Sequence, residues 1–333
     1  MRFVIAKPEN KMSLGDLFYS VPNPYAMKEF KEYDDIINEC REKAERELSG
    51  SDIEQLEKEI TAVENTSNKM AVCIIKAIAE LSAGMGYPVS LSGDESGMVL
   101  MYLLGASSVH PRQIGQFRYP SEKLINDMYS SEKRFTLAIA EPVRVHIQKE
   151  LDRRFSVYDA NCGVYKTISL PGWEVLEDVK GSTFNSDYSI CCSAEYNNAI
   201  QNLYREIYEA SFSESVDNNK NFSFEDLCRL YSYSKCSRSC PKNIHQFNAL
   251  KELLFKDDIY ELLVKEGIPN IVALDIANKG FWGFRKQTTI NYLLQFENLR
   301  KYEGLFNELP QVWSKSTCAE RLNICLRQRM SNQ

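Results

Sequence analysis

One stretch constrains this fold more than any other: residues 69–105, KMAVCIIKAIAELSAGMGYPVSLSGDESGMVLMYLLG. Met70, Ile74, Ile75, Ile78 and Leu81 recur at helical spacing, which predicts an amphipathic helix. Gly84 and Gly86 supply its stop, because glycine tolerates the left-handed conformation found at helix ends. Tyr87 to Leu91 is short and apolar enough for a buried strand, Ser92 to Gly97 is a turn, and Met98 to Leu104 opens a second helix. Strand, glycine loop, helix is the geometry in which backbone N–H groups cradle phosphate. The loop Ser92, Gly93, Asp94, Glu95, Ser96, Gly97 carries two carboxylates, which oppose that use.

The flanking chain mixes strands and helices. Phe3 to Ala6 suggests a strand, Pro22 and Pro24 mark a connector, and Tyr33 to Leu48 is a charged helical segment. Ser51 followed by Glu54 fits a capping box opening a helix with Ile53, Leu56, Ile60 and Val63 on one face. Ser107 to Ser131 reads as a connector containing Pro111 and Pro120. Phe135 to Ala140 predicts a strand, Pro142 a helix start with Val143, Ile147 and Leu151 inward, and Val164 to Leu170 a further strand. Beyond about residue 190 the chain turns helical, beginning with the stripe Ile200, Leu203, Tyr204, Ile207, Tyr208. A polar loop covers Ser213 to Asn221; helices are expected near 223–232, 244–255, 257–266, 270–278, 287–308 and 315–329, with Asp257 and Gly267 as cap and stop of the third. The expected class is α+β, mostly helical, organised as an extension (1–50), an α/β domain (51–190) and a helical domain (191–333).

No apolar run reaches the roughly 20 residues that a membrane span needs, and the N-terminal apolar run is too short for a secretory signal. A cytoplasmic, non-membrane protein is expected. Its ten cysteines are scattered, and several sit inside helical patterns, as packed reduced thiols do. Cys228, Cys236, Cys240 and His245 lie near zinc-ligand spacing, with ordinary thiols as the alternative. The histidines His110, His146 and His245 are far apart and suggest no nucleophile–base arrangement. A net charge of −6 leaves room for a local basic face. The segment 279–286, KGFWGFRK, interleaves aromatics and cations; exposed, Lys279, Arg285 and Lys286 suit phosphate contact and base stacking, whereas buried aromatics there suit a helix junction. The C-terminal helix carries Lys315, Arg321, Arg327 and Arg329.

Residues 56–111 resemble the start of the palm in bacterial C-family replicative polymerases, the DNA polymerase III alpha subunits including the PolC type. That family runs from an L-E-x-E-L helix to G-[IY]-x-V-G, an R-G-S-x-x-G-S phosphate loop, and a helix ending A-L-G-I. Leu56-Glu57, Gly86-Tyr87, Val89, Gly93 and Leu104-Gly105 fall in register. The likeness continues sparsely to residue 330. Phe135 to Ala140 sits where the family has its P-D-[IF]-D strand, and Lys166 to Gly172 where it has the third carboxylate strand. Phe224 to Leu227 resembles a thumb-region helix start, and Asp257-Asp258-Ile259 through Gly267, Ala273, Ile276 and Lys279-Gly280 resembles D-D-I…G…A…I…R-K-G. Residues 313–319, WSKSTCA, resemble the F-P-K-A-H nucleotide helix. The resemblance implies a palm with a mixed sheet and a helical thumb/fingers-like portion.

The departures concern chemistry. Polymerase catalysis holds two metal ions on three carboxylates, yet the strands read FTLAIA and KTISL, with no carboxylate. Ser92 replaces the loop arginine, and Thr317 the histidine of the nucleotide helix. What the resemblance implies is therefore a catalytically inactive PolC-like core without a cofactor, gripping DNA (primer–template) weakly through Lys279, Arg285, Lys286 and Lys315, or serving as a replication-associated scaffold. The alternatives are a protein-interaction module without nucleic-acid contact, and an active polymerase whose displaced acids (Glu141, Asp94, Asp159) rebuild a Mg²⁺ site.

Overall fold

A computed structural model describes residues 24–65, 68–114, 136–140, 143, 146–147, 149–150, 157–159, 164–166, 175–176, 192–216, 220–235, 243–281 and 283–331. The expected strand at Phe3 to Ala6 lies outside the described residues. The chain divides into two compact units. One holds the described residues up to Ile114, those between Thr136 and Leu176, and those from Asn323 onward; the other holds those from Cys192 to Leu322.

The first unit packs helices against a small sheet. Helix α1 (Pro24–Glu47) turns Tyr33, Ile37, Cys40 and Ala44 into the core at alternating steps of four and three, the spacing of one helix face. The sequence sets residues 1–50 apart as an extension, but the described part of that stretch belongs to this core, because its stripe has a partner in the next helices. Helix α2 (Gly50–Glu64) starts two residues earlier than its expected box: the Asp52 carboxylate accepts from the Ser49 backbone N–H at 3.2 Å and from its hydroxyl at 2.5 Å. Helix α3 (Lys69–Gly84) buries Val72, Ile74, Ile75 and Ile78 and carries Lys76, whose Nζ reaches Glu39 at 2.8 Å and Glu80 at 3.3 Å. Gly84 closes this helix with ordinary backbone angles, and only Gly86, at φ 81°, takes the left-handed conformation.

Strand β1 (Val89–Ser92) follows, then a 3-10 turn at Asp94–Gly97 and the short helix α4 (Val99–Leu103), whose five residues are all buried. Strand β2 (Thr136–Ala140) pairs antiparallel with β1, placing Leu91 opposite Leu137 and Val89 opposite Ile139. Strands β3 (Val157–Asp159) and β4 (Val164–Lys166) form a separate antiparallel pair, and β5 (Val175–Leu176) adds to β2 in parallel. The three-stranded sheet is therefore mixed, in the order β1-β2-β5.

Among the described residues the second unit is helical, with an isolated parallel bridge between Phe255 and Trp313. Helix α5 (Ala194–Phe212) begins at Ser193, whose hydroxyl accepts from the Tyr196 N–H, and ends at Ser213 in the left-handed region, φ 57°. An aromatic spine runs from it: Tyr204 stacks on Phe222 at 3.7 Å, and Phe212 meets Tyr233 and Phe247. Helix α6 (Phe224–Lys235) is opened by a reciprocal box between Ser223 and Asp226. Helix α7 (Ile244–Leu250) passes through a 3-10 turn into α8 (Lys256–Lys265), which stops at Gly267, φ 90°, as the sequence predicts. Its cap is not Asp257: Asp258, at the third helical position, accepts from the Phe255 N–H at 3.0 Å, while Asp257 accepts from the Lys315 N–H at 2.8 Å.

Helix α9 (Asn270–Asp275) widens into a π-turn at Ile276–Gly280. The single helix expected over 287–308 is instead α10 (Arg285–Leu293), a 3-10 turn at Glu297–Tyr302, and α11 (Glu303–Glu308). The breaks let Leu293, Leu299 and Phe306 all turn inward, and Arg300 Nε donates to the freed Leu294 carbonyl at 3.1 Å. Helix α12 (Lys315–Ser331) ends the described chain. The protein is thus α+β and mostly helical, and no helix among the described residues is long and apolar enough to cross a membrane.

Candidate functional site

In the first unit the candidate phosphate loop folds as a closed turn. Gly93 takes φ 102°, and the Ser96 and Met98 N–H groups turn inward to the carbonyls of Gly93 and Glu95. The Ser96 hydroxyl also donates to Gly93 O at 2.8 Å, and Gly97 is buried; Asp94 and Glu95 stay partly exposed. The free amides that open α4 are already taken. Glu59, fully buried on α2, accepts from Val99 N–H at 3.3 Å and from Leu100 N–H at 2.8 Å. A carboxylate from the protein thus occupies the donors that an anion needs at a helix start. The sequence carried a signal for this: Glu59 shares the helix face of Leu56, Ile60 and Val63, where a solvated acid has no place.

The segment after α4 is buried and polar. The Ser107 hydroxyl donates to Ser96 O at 2.6 Å. Asn323 and Gln113 exchange side-chain amide bonds at 2.7 and 2.9 Å, and Asn323 also donates to Ser108 O. His110 accepts from the Arg112 N–H on Nδ1 at 3.0 Å and meets Tyr102 edge-on, so burial and the nearby Arg112 charge push its pKa down to about 4. This histidine is a neutral structural acceptor. His146 and His245 are exposed.

The second unit separates the four predicted phosphate contacts. Lys286 Nζ donates to Asn307 O at 2.6 Å and Leu309 O at 2.8 Å, closing the end of α11. Lys315 Nζ pairs with Glu225 at 3.1 Å. Both are occupied internally, since a cation beside unsatisfied carbonyls or a half-buried acid is held there. Lys279, in the π-turn, and Arg285, opening α10, are exposed, and their side chains make no hydrogen bond or ion pair among the described residues. Between them the aromatics split. Phe281 is buried against Phe306, whereas Phe284 is 91% exposed. Trp282 lies outside the described residues. Gly283 at φ 53° makes the turn that throws Phe284 outward.

Lys315 belongs to a network that sequence reading missed. Arg229, nearly buried, spans Asp258 at 2.8 Å, Glu225 at 2.9 Å and the Lys251 carbonyl, with its guanidinium 4.8 Å over the Phe255 ring. Burial pushes the Asp258 carboxyl up to about 6, against the pull of Arg229 and the Phe255 N–H. The sequence hint is an arginine set among Leu227, Cys228 and Leu230.

Cys228 is fully buried, and burial pushes its thiol well above the ordinary range; Cys236 and Cys240 lie outside the described residues. Of the displaced acids, Asp94 sits in the closed turn, Asp159 ends β3 with its side chain outside the described residues, and Glu141 lies outside them altogether. Among the described residues no group of three or more His, Cys, Asp or Glu is placed to hold a metal ion. Comparison with protein-family profiles, with curated proteins and with solved structures returned no match.

Proposed function

We propose that this chain is a catalytically silent protein of PolC-like build, a palm-like unit and a thumb/fingers-like helical unit retained as a scaffold that grips nucleic acid weakly. The observation that carries the contact is the Phe284 ring, 91% exposed between two exposed cations, Lys279 and Arg285. A free aromatic face beside unpaired positive charge suits a base and its phosphate. Two features support silence in the chemistry. Strand β2 reads TLAIA and offers no carboxylate to a metal ion. The amides at the start of α4 are filled by Glu59, and Asp94 and Glu95 add negative charge beside them.

Titration of primer–template and single-stranded DNA against the whole chain, with and without Mg²⁺ and across a salt series, tests this. Binding is expected at low salt without metal, falling with salt by a log–log slope of about −0.7 for each phosphate contact to a single strand. Phe284→Ala is expected to weaken it by about fivefold or more, the low end of a base–aromatic stack. Magnesium-dependent primer extension overturns the silent reading. Absence of binding at low salt overturns the nucleic-acid reading and leaves the Phe284 face to a protein partner.

A further inference from the structure

We infer that the helical unit carries a second nucleic-acid contact, in which Arg321 and Lys235, laid over the aromatic pair Trp313 and Tyr231, take single-stranded nucleic acid. It deepens the function proposed above and rests on that reading. The four side chains are in contact in turn. The Arg321 guanidinium lies 4.7 Å from the Trp313 ring centre, Trp313 meets Tyr231 edge-to-face at 6.0 Å and 72°, and Lys235 Nζ lies 5.4 Å from the Tyr231 ring centre. Trp313, Tyr231 and Arg321 are partly exposed and Lys235 is exposed.

The group is held from beneath. Trp313 pairs with Phe255 in a parallel bridge, and its carbonyl accepts from Lys256 N–H at 3.0 Å. Two residues on, Lys315 is anchored in the same unit: its N–H donates to Asp257 and its Nζ pairs with Glu225. The lysine that opens α12 is therefore held internally, and Arg321, under two turns on, is partly exposed. Among the described residues the Arg321 side chain makes no hydrogen bond or ion pair, and it lies over the ring of Trp313. The ring contact holds the guanidinium in place while its five N–H donors stay unmatched, which lowers the entropy lost on gripping a phosphate. Tyr231 and Lys235, four apart on α6, repeat the arrangement one ring away.

The occupant follows from this chemistry. Two cations on a chain of net charge −6 call for an anion. An acidic peptide satisfies the N–H edges but leaves the flat guanidinium face uncovered. Single-stranded nucleic acid supplies both halves, phosphate for the edges and bases that stack on guanidinium and aromatic planes.

The test is fluorescence anisotropy of a labelled oligothymidylate of about 16 nucleotides with the full chain at low salt. Arg321→Ala is expected to weaken binding by about fivefold or more, and Arg321→Lys by about threefold, since charge is kept but the plane is lost. Arg321→Ala and Lys235→Ala should each make the log–log salt slope shallower by about 0.7. Unchanged thermal midpoints exclude misfolding, and the exposed Lys235→Ala carries the test should Arg321→Ala fail to fold. If both variants bind within about twofold of wild type while Phe284→Ala weakens binding, this contact fails and the proposed function stands. Competition by poly-glutamate as strong as by unlabelled oligonucleotide overturns the nucleic-acid assignment of this face. No wild-type binding overturns both readings.

Discussion

Glu59 shows how one side chain sets what a loop can do. Its carboxylate is buried and meets two backbone donors at the start of α4, which closes those donors to any other acceptor. Glu59→Ala is expected to cost about 2–4 kcal/mol, because the Val99 and Leu100 amides are left buried without that acceptor, and Glu59→Gln about half as much. Urea midpoints of the two variants check this; equal costs would mean that packing rather than hydrogen bonding dominates. Tyr33 is the opposite case. It is 1% exposed, and its hydroxyl finds no hydrogen-bond partner among the described residues. Tyr33→Phe should therefore be neutral or stabilising by up to about 1 kcal/mol, and a thermal midpoint that falls by several degrees would refute it.

At the scale of elements, glycine position separates pattern from geometry. Both Gly84 and Gly86 read as helix stops, yet only Gly86 takes a positive φ, and nothing crowds a Cβ at Gly84. Gly86→Ala should cost about 1 kcal/mol, and Gly84→Ala should stabilise by up to about 1 kcal/mol, by lowering the entropy of the unfolded chain. Denaturant midpoints of the pair decide it; the same sign for both would sink the argument. The helix expected over 287–308 failed for a related reason. Helical periodicity continues through its breaks, and only the inward turn of Leu293, Leu299 and Phe306 onto one core shows where the axis changes.

Over the whole molecule, two buried groups tilt stability against pH in opposite directions. His110 is held near pKa 4, below its ordinary 6.5, so the unfolded chain binds the proton first. Its contribution, up to about 3 kcal/mol, is complete above pH 6.5 and lost as pH falls toward 4. Asp258 is held near 6, above its ordinary 3.8, so the folded state binds the proton first and stability is lost as pH rises from 3.8 through 6. The slopes oppose each other across this window. His110→Gln should leave a profile that falls between pH 4 and 6, and Asp258→Asn one that rises more steeply with pH. Guanidinium midpoints from pH 4 to 7 measure both, and unchanged profiles in the variants would remove these groups as the cause.

Much of the local structure was legible in the sequence. The helix at 69–84, the strand and turn after it, the strand at 136–140 and the stop at Gly267 follow from periodicity and glycine, because those forces act within a few residues. The mostly helical α+β class follows from the same patterns. The absence of a carboxylate from β2 is likewise a property of residue order alone. Tertiary structure decided which charges are free. Lys286 and Lys315 look like Lys279 and Arg285 in sequence, but the carbonyls that hold Lys286 lie 21 and 23 residues away, and the acid that holds Lys315 lies on α6. It also decided that Phe281 is buried while Phe284 is exposed, and that Arg321 rests on Trp313. Charge and ring type are written in the chain. Their pairing and exposure depend on contacts between segments distant in sequence, which no local pattern records.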